Sequence, residues 1–226
     1  MADSCLLYYI TDRTAFATDE PTRRRRLLDK ISEAARAGVD YVQLREKDLP
    51  TRELESLARE AVAILNELRT ENSELKTALL VNSRTDVALA AGADGVHLRS
   101  EDISPTEVLD IWARCGAGAH ARENSPRDPL IGVSCHSPTE VQARAANATF
   151  AVFAPLFEKR DCPDKQGAGP NQLREACRAN IPILALGGLT LQNAESCLEA
   201  GAAGIAAIRL FQENDVEEIV EKIRRR

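Results

Sequence analysis

The chain has 226 residues, 44% hydrophobic, 28% charged and only 4% aromatic, enough for one domain with a substantial core. Its 29 Lys and Arg against 35 Asp and Glu leave a formal charge of −6, so there is no overall positive field to hold nucleic acid, whereas a small phosphorylated ligand is compatible with it. The start, MADSCLLYYITD, lacks the features of a signal peptide, and no apolar run reaches the roughly 20 residues that span a bilayer; a cytoplasmic protein without membrane partners is expected.

In chain order, β-prone runs at residues 6–11, 41–45, 78–82, 95–99, 130–135, 149–157, 182–187 and 204–211 alternate with amphipathic stretches. Those stretches cover residues 22–37, 51–69, 85–91, 105–113, 138–146, 171–179, 191–200 and 216–226, at helical spacing. The phrases AGVDYVQL, AGADGVHL and AGAAGIAAI put Gly38, Gly92 and Gly201 where a left-handed residue stops a helix before the next strand. Eight such units without a linker predict a single-domain (β/α)8 TIM barrel over residues 1–226, with a doubly wound open sheet as the alternative. A polar insertion at 119–129 is expected on the face opposite the chemistry. The stretch 158–170, with Gly167 and Gly169, is expected as a mobile loop over the active site. The six cysteines, at positions 5, 115, 135, 162, 177 and 197, follow no metal spacing and are expected as reduced thiols.

In such a barrel, residues at the C-terminal ends of the strands converge on one mouth. At the second strand Gln43, Arg45 and Lys47 alternate with Leu44 and Glu46, which points three donors to one side and suits an anion; pairing of Arg45 and Lys47 with Glu46 and Asp48 is the plainer reading. Asn82 ends the third strand, and the fourth runs into Arg99, Ser100, Glu101 and Asp102, where a carboxylate can either hold magnesium or cap the next helix, as Ser104 can too. Of the histidines, His97 reads as a packed barrel residue and His120 falls in the insertion. His136, beside Ser134 at the fifth strand's end, is the candidate acid or base. Gly187 and Gly188 after the seventh strand, with Ile208 and Arg209 at the end of the eighth, fit a phosphate site built on backbone amides; Arg209 can alternatively form an ion pair.

The ordered phrases YYITD, VQLREKDL, LLVNSR, AGADGVHLRSEDI, IGVSCHS, APLF, IPILALGGLT and AGAAGIAAIRLF resemble the thiamine phosphate synthase and thiazole tautomerase superfamily over nearly the whole chain. The resemblance implies a (β/α)8 barrel and, for the synthase, magnesium-dependent coupling of hydroxymethylpyrimidine diphosphate with thiazole phosphate. It implies diphosphate contacts at Gln43, Arg45 and Lys47, substrate contacts at Asn82 and Ser134, a metal ligand at Asp102, and thiazole-phosphate contacts at the backbone of Gly188 and Ile208.

The chain departs from the synthase pattern at Ser83, where that pattern has a second metal-binding aspartate, at Arg209 in place of a phosphate-contacting serine, and in the loop after the sixth strand, where Lys159, Arg160 or Lys165 would substitute. The phrase VSCHS, with His136, and the loop FEKRDCPDKQGAG resemble the metal-independent tautomerase instead. Coupling is the expected activity. Tautomerisation of a thiazole carboxylate phosphate, or a barrel that binds such phosphates without turnover, are the alternatives; a homo-oligomer is compatible with the sequence.

Overall fold

The structure is a computed structural model that describes residues 5–116, 128–158 and 167–225. Eight parallel strands pair in sequence order: β1 (Leu6–Ile10), β2 (Tyr41–Leu44), β3 (Ala78–Asn82), β4 (Gly95–Leu98), β5 (Leu130–Cys135), β6 (Phe150–Phe153), β7 (Ile183–Leu186) and β8 (Gly204–Ala207). β8 closes on β1, with Tyr9 opposite Ala207. The outer ring holds α1 (Glu20–Arg36), α2 (Thr51–Glu71), α3 (Thr85–Ala91), α4 (Pro105–Gly116), α5 (Pro138–Arg144), α6 (Gly169–Ala176), α7 (Leu191–Glu199), α8 (Arg209–Gln212) and α9 (Val216–Arg224). This is the expected (β/α)8 barrel, and closure excludes the open sheet.

Six strands are shorter than the sequence suggests, four by one or two residues and β6 and β8 by more. β6 stops at Phe153, just ahead of Pro155, whose nitrogen has no proton to give a ladder. β8 stops at Ala207 because the chain turns into α8. There the buried Gln212 accepts from the Tyr9 hydroxyl at 3.0 Å and donates to the Asp12 carbonyl, which ties α8 to β1.

Side chains alternate across each strand, and closure sends one set inward. Tyr8, Ile10, Leu80, Phe150, Val152, Leu184 and Ala206 fill the barrel. The other set, including Leu7, Val42, Leu79 and Ile205, packs beneath α1, α2 and α9, while Val96, Ile131 and Ala151 pack with Leu173 of α6. The three repeated phrases behave as expected, with Gly38, Gly92 and Gly201 at φ 85°, 68° and 101°. The aspartates of the first two add a second function: Asp40 and Asp94 each accept the N–H of the second residue of a neighbouring strand, Leu7 and Leu79, at 2.8 Å, and pair with Arg224 and Arg69. The described cysteines, at 5, 115, 135, 177 and 197, are free thiols. No described helix is long and apolar enough to cross a membrane. The insertion expected at 119–129 lies outside the described residues except for its last two, and the expected loop at 158–170 is described only at its ends.

The barrel interior is tight around β5. Tyr41 and Phe150 stack at 4.9 Å, and Tyr8 meets each ring edge-on. A Cβ on Gly132 would fall 2.7 Å from His97 Nδ1 and 2.8 Å from the Phe150 ring. Gly132→Ala is therefore expected to overpack the interior and lower stability by about 1–3 kcal/mol, read as a lower denaturant midpoint at unchanged slope.

Candidate active site

Gln43 of β2, Asn82 of β3, His97 of β4 and Ser134 of β5 share the inward register at the C-terminal half of the barrel. A hydrogen-bonded line links three of them through a residue that the sequence reading passed over. Gln43 Nε2 donates to the Tyr8 hydroxyl at 2.9 Å, the hydroxyl meets His97 Nδ1 at 3.2 Å, and His97 Nε2 lies 2.9 Å from Ser134 Oγ. His97 is buried inside the barrel, as expected, and burial, with Arg144 and Arg45 assisting against the pull of Asp102, holds its imidazole down to about 3. Burial likewise pushes the Tyr8 phenol far above its ordinary value. Both groups are neutral at physiological pH, so the donors run one way: Tyr8 O–H donates to Nδ1, Nε2–H donates to Ser134 Oγ, and Ser134 keeps its own O–H for a ligand. Only the YYIT run carried a signal for Tyr8.

At β2 the strand ends at Leu44, earlier than expected, leaving Arg45 half-buried and Lys47 exposed beyond it. Glu46 and Asp48, the plainer partners for Arg45, are bound by Arg13. Its guanidinium, 3% exposed as a residue, reaches Asp48 at 2.7 Å, Glu46 at 3.3 Å and Glu20 at 2.6 Å. Thr11 closes this anchor by donating to Glu46 and accepting the amide of Arg45 at 3.0 Å. Arg45 itself pairs with no carboxylate among the described residues.

Across β3 lies a second cation. Arg99 Nε donates to Ser83 Oγ at 2.9 Å and its Nη2 to Asp102 Oδ1 at 3.1 Å, while its backbone N–H reaches Asp102 Oδ2 at 2.7 Å. Asn82 Nδ2 also donates to Ser83 Oγ, at 3.2 Å. Burial tends to raise the Asp102 carboxyl, but the Ser83 hydroxyl and Arg99 outweigh it and hold the group below its ordinary value. Asp102 does not cap α4; Ser104 does, accepting from the Glu107 amide at 3.3 Å while Glu107 returns the bond. Ser83 sits at φ 62°, a conformation that costs a non-glycine residue about 1–2 kcal/mol. From α5, Arg144 donates to the carbonyls of Arg99 and Ser100, fixing the turn that carries Arg99. No group of three or more His, Cys, Asp or Glu converges on a metal position among the described residues.

On the other side of the mouth, the exposed His136 follows β5. Its Nδ1 lies 2.6 Å from the Ala154 carbonyl and its amide donates to Glu140 at 2.7 Å, so Nε2 is the nitrogen left to accept. Gly187 and Gly188 have φ 107° and 62°. A Cβ on Gly188 would lie 2.5 Å from the Glu158 carbonyl oxygen, and Phe157 donates to the Gly187 carbonyl at 3.1 Å, so the pair packs the loops after β6 and β7 together. Among the described residues nothing accepts from the amides of Gly187, Gly188 or Ile208. Arg209 opens α8 instead of ending a strand and lies 3.8 Å from Glu213. Gly167 is a close-packing position where a Cβ would come 2.2 Å from the Leu156 carbonyl oxygen. Lys159, Arg160 and Lys165 lie outside the described residues.

The depressed His97 fixes a pH dependence. The unfolded chain takes up a proton near the ordinary value of 6.5, whereas the folded one resists until about 3, so stability present above pH 6.5 is lost as pH falls. Between about pH 6 and 5 this one site contributes a slope approaching 1.4 kcal/mol per pH unit. Denaturant midpoints of wild type and His97→Gln measured across that range are expected to diverge, with the shallower dependence in the variant.

Comparison with known proteins follows the same geometry. A family model described as thiamine monophosphate synthase matches residues 7–211. The chain is 35% identical over 209 residues to the putative thiamine-phosphate synthase 2 of Aquifex aeolicus (strain VF5), covering 92% of this chain and 97% of that protein. It is 35% identical over 224 residues to the thiamine-phosphate synthase of Methanoculleus marisnigri (strain ATCC 35101 / DSM 1498 / JR1), with 97% and 94% covered. Its fold superposes on a solved thiamine phosphate pyrophosphorylase from Pyrococcus furiosus with a TM-score of 0.74 at 27% identity, covering 99% of this chain and 95% of that one. The chain belongs to the thiamine monophosphate synthase family.

Proposed function

We propose that this protein joins hydroxymethylpyrimidine diphosphate to thiazole phosphate, giving thiamine phosphate and diphosphate. The observation that carries the reading is the neutral line from Gln43 to Ser134 between a cationic rim at Arg45 and unengaged amides at Gly187, Gly188 and Ile208. A flat aminopyrimidine presents ring nitrogens that accept hydrogen bonds, which suits the Ser134 hydroxyl; Gln43 and Asn82 border the same place. The diphosphate then falls to Arg45 and Lys47, and the thiazole phosphate to the glycine amides, with Arg209 beside them.

The exocyclic carbon–oxygen bond of the pyrimidine breaks and its electron pair leaves on the diphosphate. The thiazole ring nitrogen then supplies the pair that forms the new carbon–nitrogen bond. Leaving-group charge is what the rim stabilises, and fixed cations beside a water-poor barrel interior do this without reorganising. No proton need be moved by His136, whose role in this reaction is to border the substrates. The resemblance implies magnesium, and Asp102 is the residue expected to hold it. The donor set fits that ion poorly: both Asp102 oxygens accept from Arg99, and position 83 offers a hydroxyl bound to the same guanidinium. No step is routed through the ion.

Tautomerisation draws support from the free Nε2 of His136, but the relatives named for the synthase favour coupling. Pure protein given both substrates is expected to form thiamine phosphate and to leave the thiazole carboxylate phosphate unisomerised; the reverse outcome sinks the assignment. His136→Ala is expected to slow coupling by less than about tenfold, well short of the 10²–10⁴-fold that loss of an essential acid or base costs.

A further inference from the structure

We propose that the Arg99 guanidinium, clamped by Asp102 and Ser83, replaces a divalent cation as the group that binds the diphosphate, so that this chain needs no metal to do so. The inference rests on the coupling reaction proposed above and specifies how its leaving group is held.

Three features of the turn after β4 support it. First, Arg99 already engages both oxygens of Asp102, its guanidinium Nη2 donating to Oδ1 at 3.1 Å and its backbone amide to Oδ2 at 2.7 Å. A magnesium ion recruited to Asp102 would have to displace those bonds and sit beside a fixed positive charge, while gaining only a neutral hydroxyl at position 83. Second, the clamp leaves part of the guanidinium for a ligand. Nε is committed to Ser83 and one Nη2 proton to Asp102, but the side chain is 48% exposed, and its other N–H groups have no partner among the described residues. A planar fork held in this way matches adjacent phosphate oxygens. Third, the cation is placed for a diphosphate. Arg45 and Arg99 are the inward-register residues just beyond β2 and β4, on either side of β3. Strands two apart in a sheet lie about 9–10 Å from each other, a gap two arginine side chains can close around two linked phosphates. Arg144 holds the carbonyl of Arg99, which keeps the turn in position.

The test compares wild type with Arg99→Ala and Arg99→Lys in saturating magnesium and in a chelator after metal stripping. Thiamine phosphate formation is read alongside calorimetric binding of inorganic pyrophosphate. In wild type, rate and pyrophosphate affinity are expected to change by less than about threefold on chelation. In the chelator, Arg99→Ala is expected to lose about 10²-fold in rate and at least about tenfold in pyrophosphate affinity, with Arg99→Lys between the two because it keeps the charge and loses the fork. Thermal melting checks that each variant folds; an unfolded Arg99→Ala leaves the comparison to Arg99→Lys and to the effect of the chelator on wild type. Product or pyrophosphate binding that appears in wild type only with magnesium overturns the proposal, as does equal metal-free binding by wild type and the variants. If no thiamine phosphate forms in either condition while Arg99-dependent binding of pyrophosphate persists in chelator, the coupling reaction falls and the metal-free anion site stands.

Discussion

Closing eight parallel strands into a ring fixes which residues can meet. Alternate side chains must point inward, and a shift of one residue in any strand would send its inner set to the helices. Tyr8, Gln43, Asn82, His97 and Ser134 meet because each holds the inward register on its strand, although they are far apart in sequence. The register is held at the other end of the barrel, where Asp40 and Asp94 each tie the second amide of a neighbouring strand and an arginine from the helical ring. The repeated helix-to-strand phrase thus does two jobs, turning the chain and locking the strand that follows against its neighbour.

Within that frame the mouth is divided by polarity. Its floor is neutral: burial suppresses the His97 cation, and the Tyr8 phenol keeps its proton. The rim carries cations at least partly open to solvent, such as Arg45 and Arg99. The division has a physical basis. A charged imidazole beneath two arginines would be both desolvated and repelled, whereas a neutral one can pass a hydrogen-bond direction from Gln43 through to Ser134. The floor therefore offers a pattern of donors and acceptors, and the rim offers positive charge, which is the division that the proposed coupling reaction needs.

Much of this was legible in the sequence because periodicity and register are local properties. The alternation of short apolar runs with amphipathic stretches gave the barrel, and the glycines at 38, 92 and 201 marked the turns correctly. The strand ends were less legible. Gly204 to Phe211 reads as one apolar run, yet α8 begins inside it because Gln212 finds Tyr9 and Asp12, contacts 203 and 200 positions away in the chain that no local pattern encodes. Charge partners were hidden for the same reason. Glu46 and Asp48 read as partners for Arg45, but Arg13, from the turn after β1, binds both. Arg99 was visible only as the end of a strand, since its meaning depends on Ser83 and Asp102, which come from two different loops.

That last trio explains how the departure at position 83 can be tolerated. A pair of aspartates with one divalent cation sums to zero charge, and so does a single aspartate with one arginine. On the proposed reading, replacing a carboxylate by the Ser83 hydroxyl while presenting a guanidinium from position 99 leaves the local balance unchanged where the diphosphate would be held. What changes is mobility. An ion can leave with the product, whereas a guanidinium remains bound to Asp102, and its fork fixes the direction of the hydrogen bonds it offers. A permanent cation also repels a second one, so the substitution at 83 and the residue at 99 are coupled: either alone would unbalance the site, and together they restore its charge by a different chemistry.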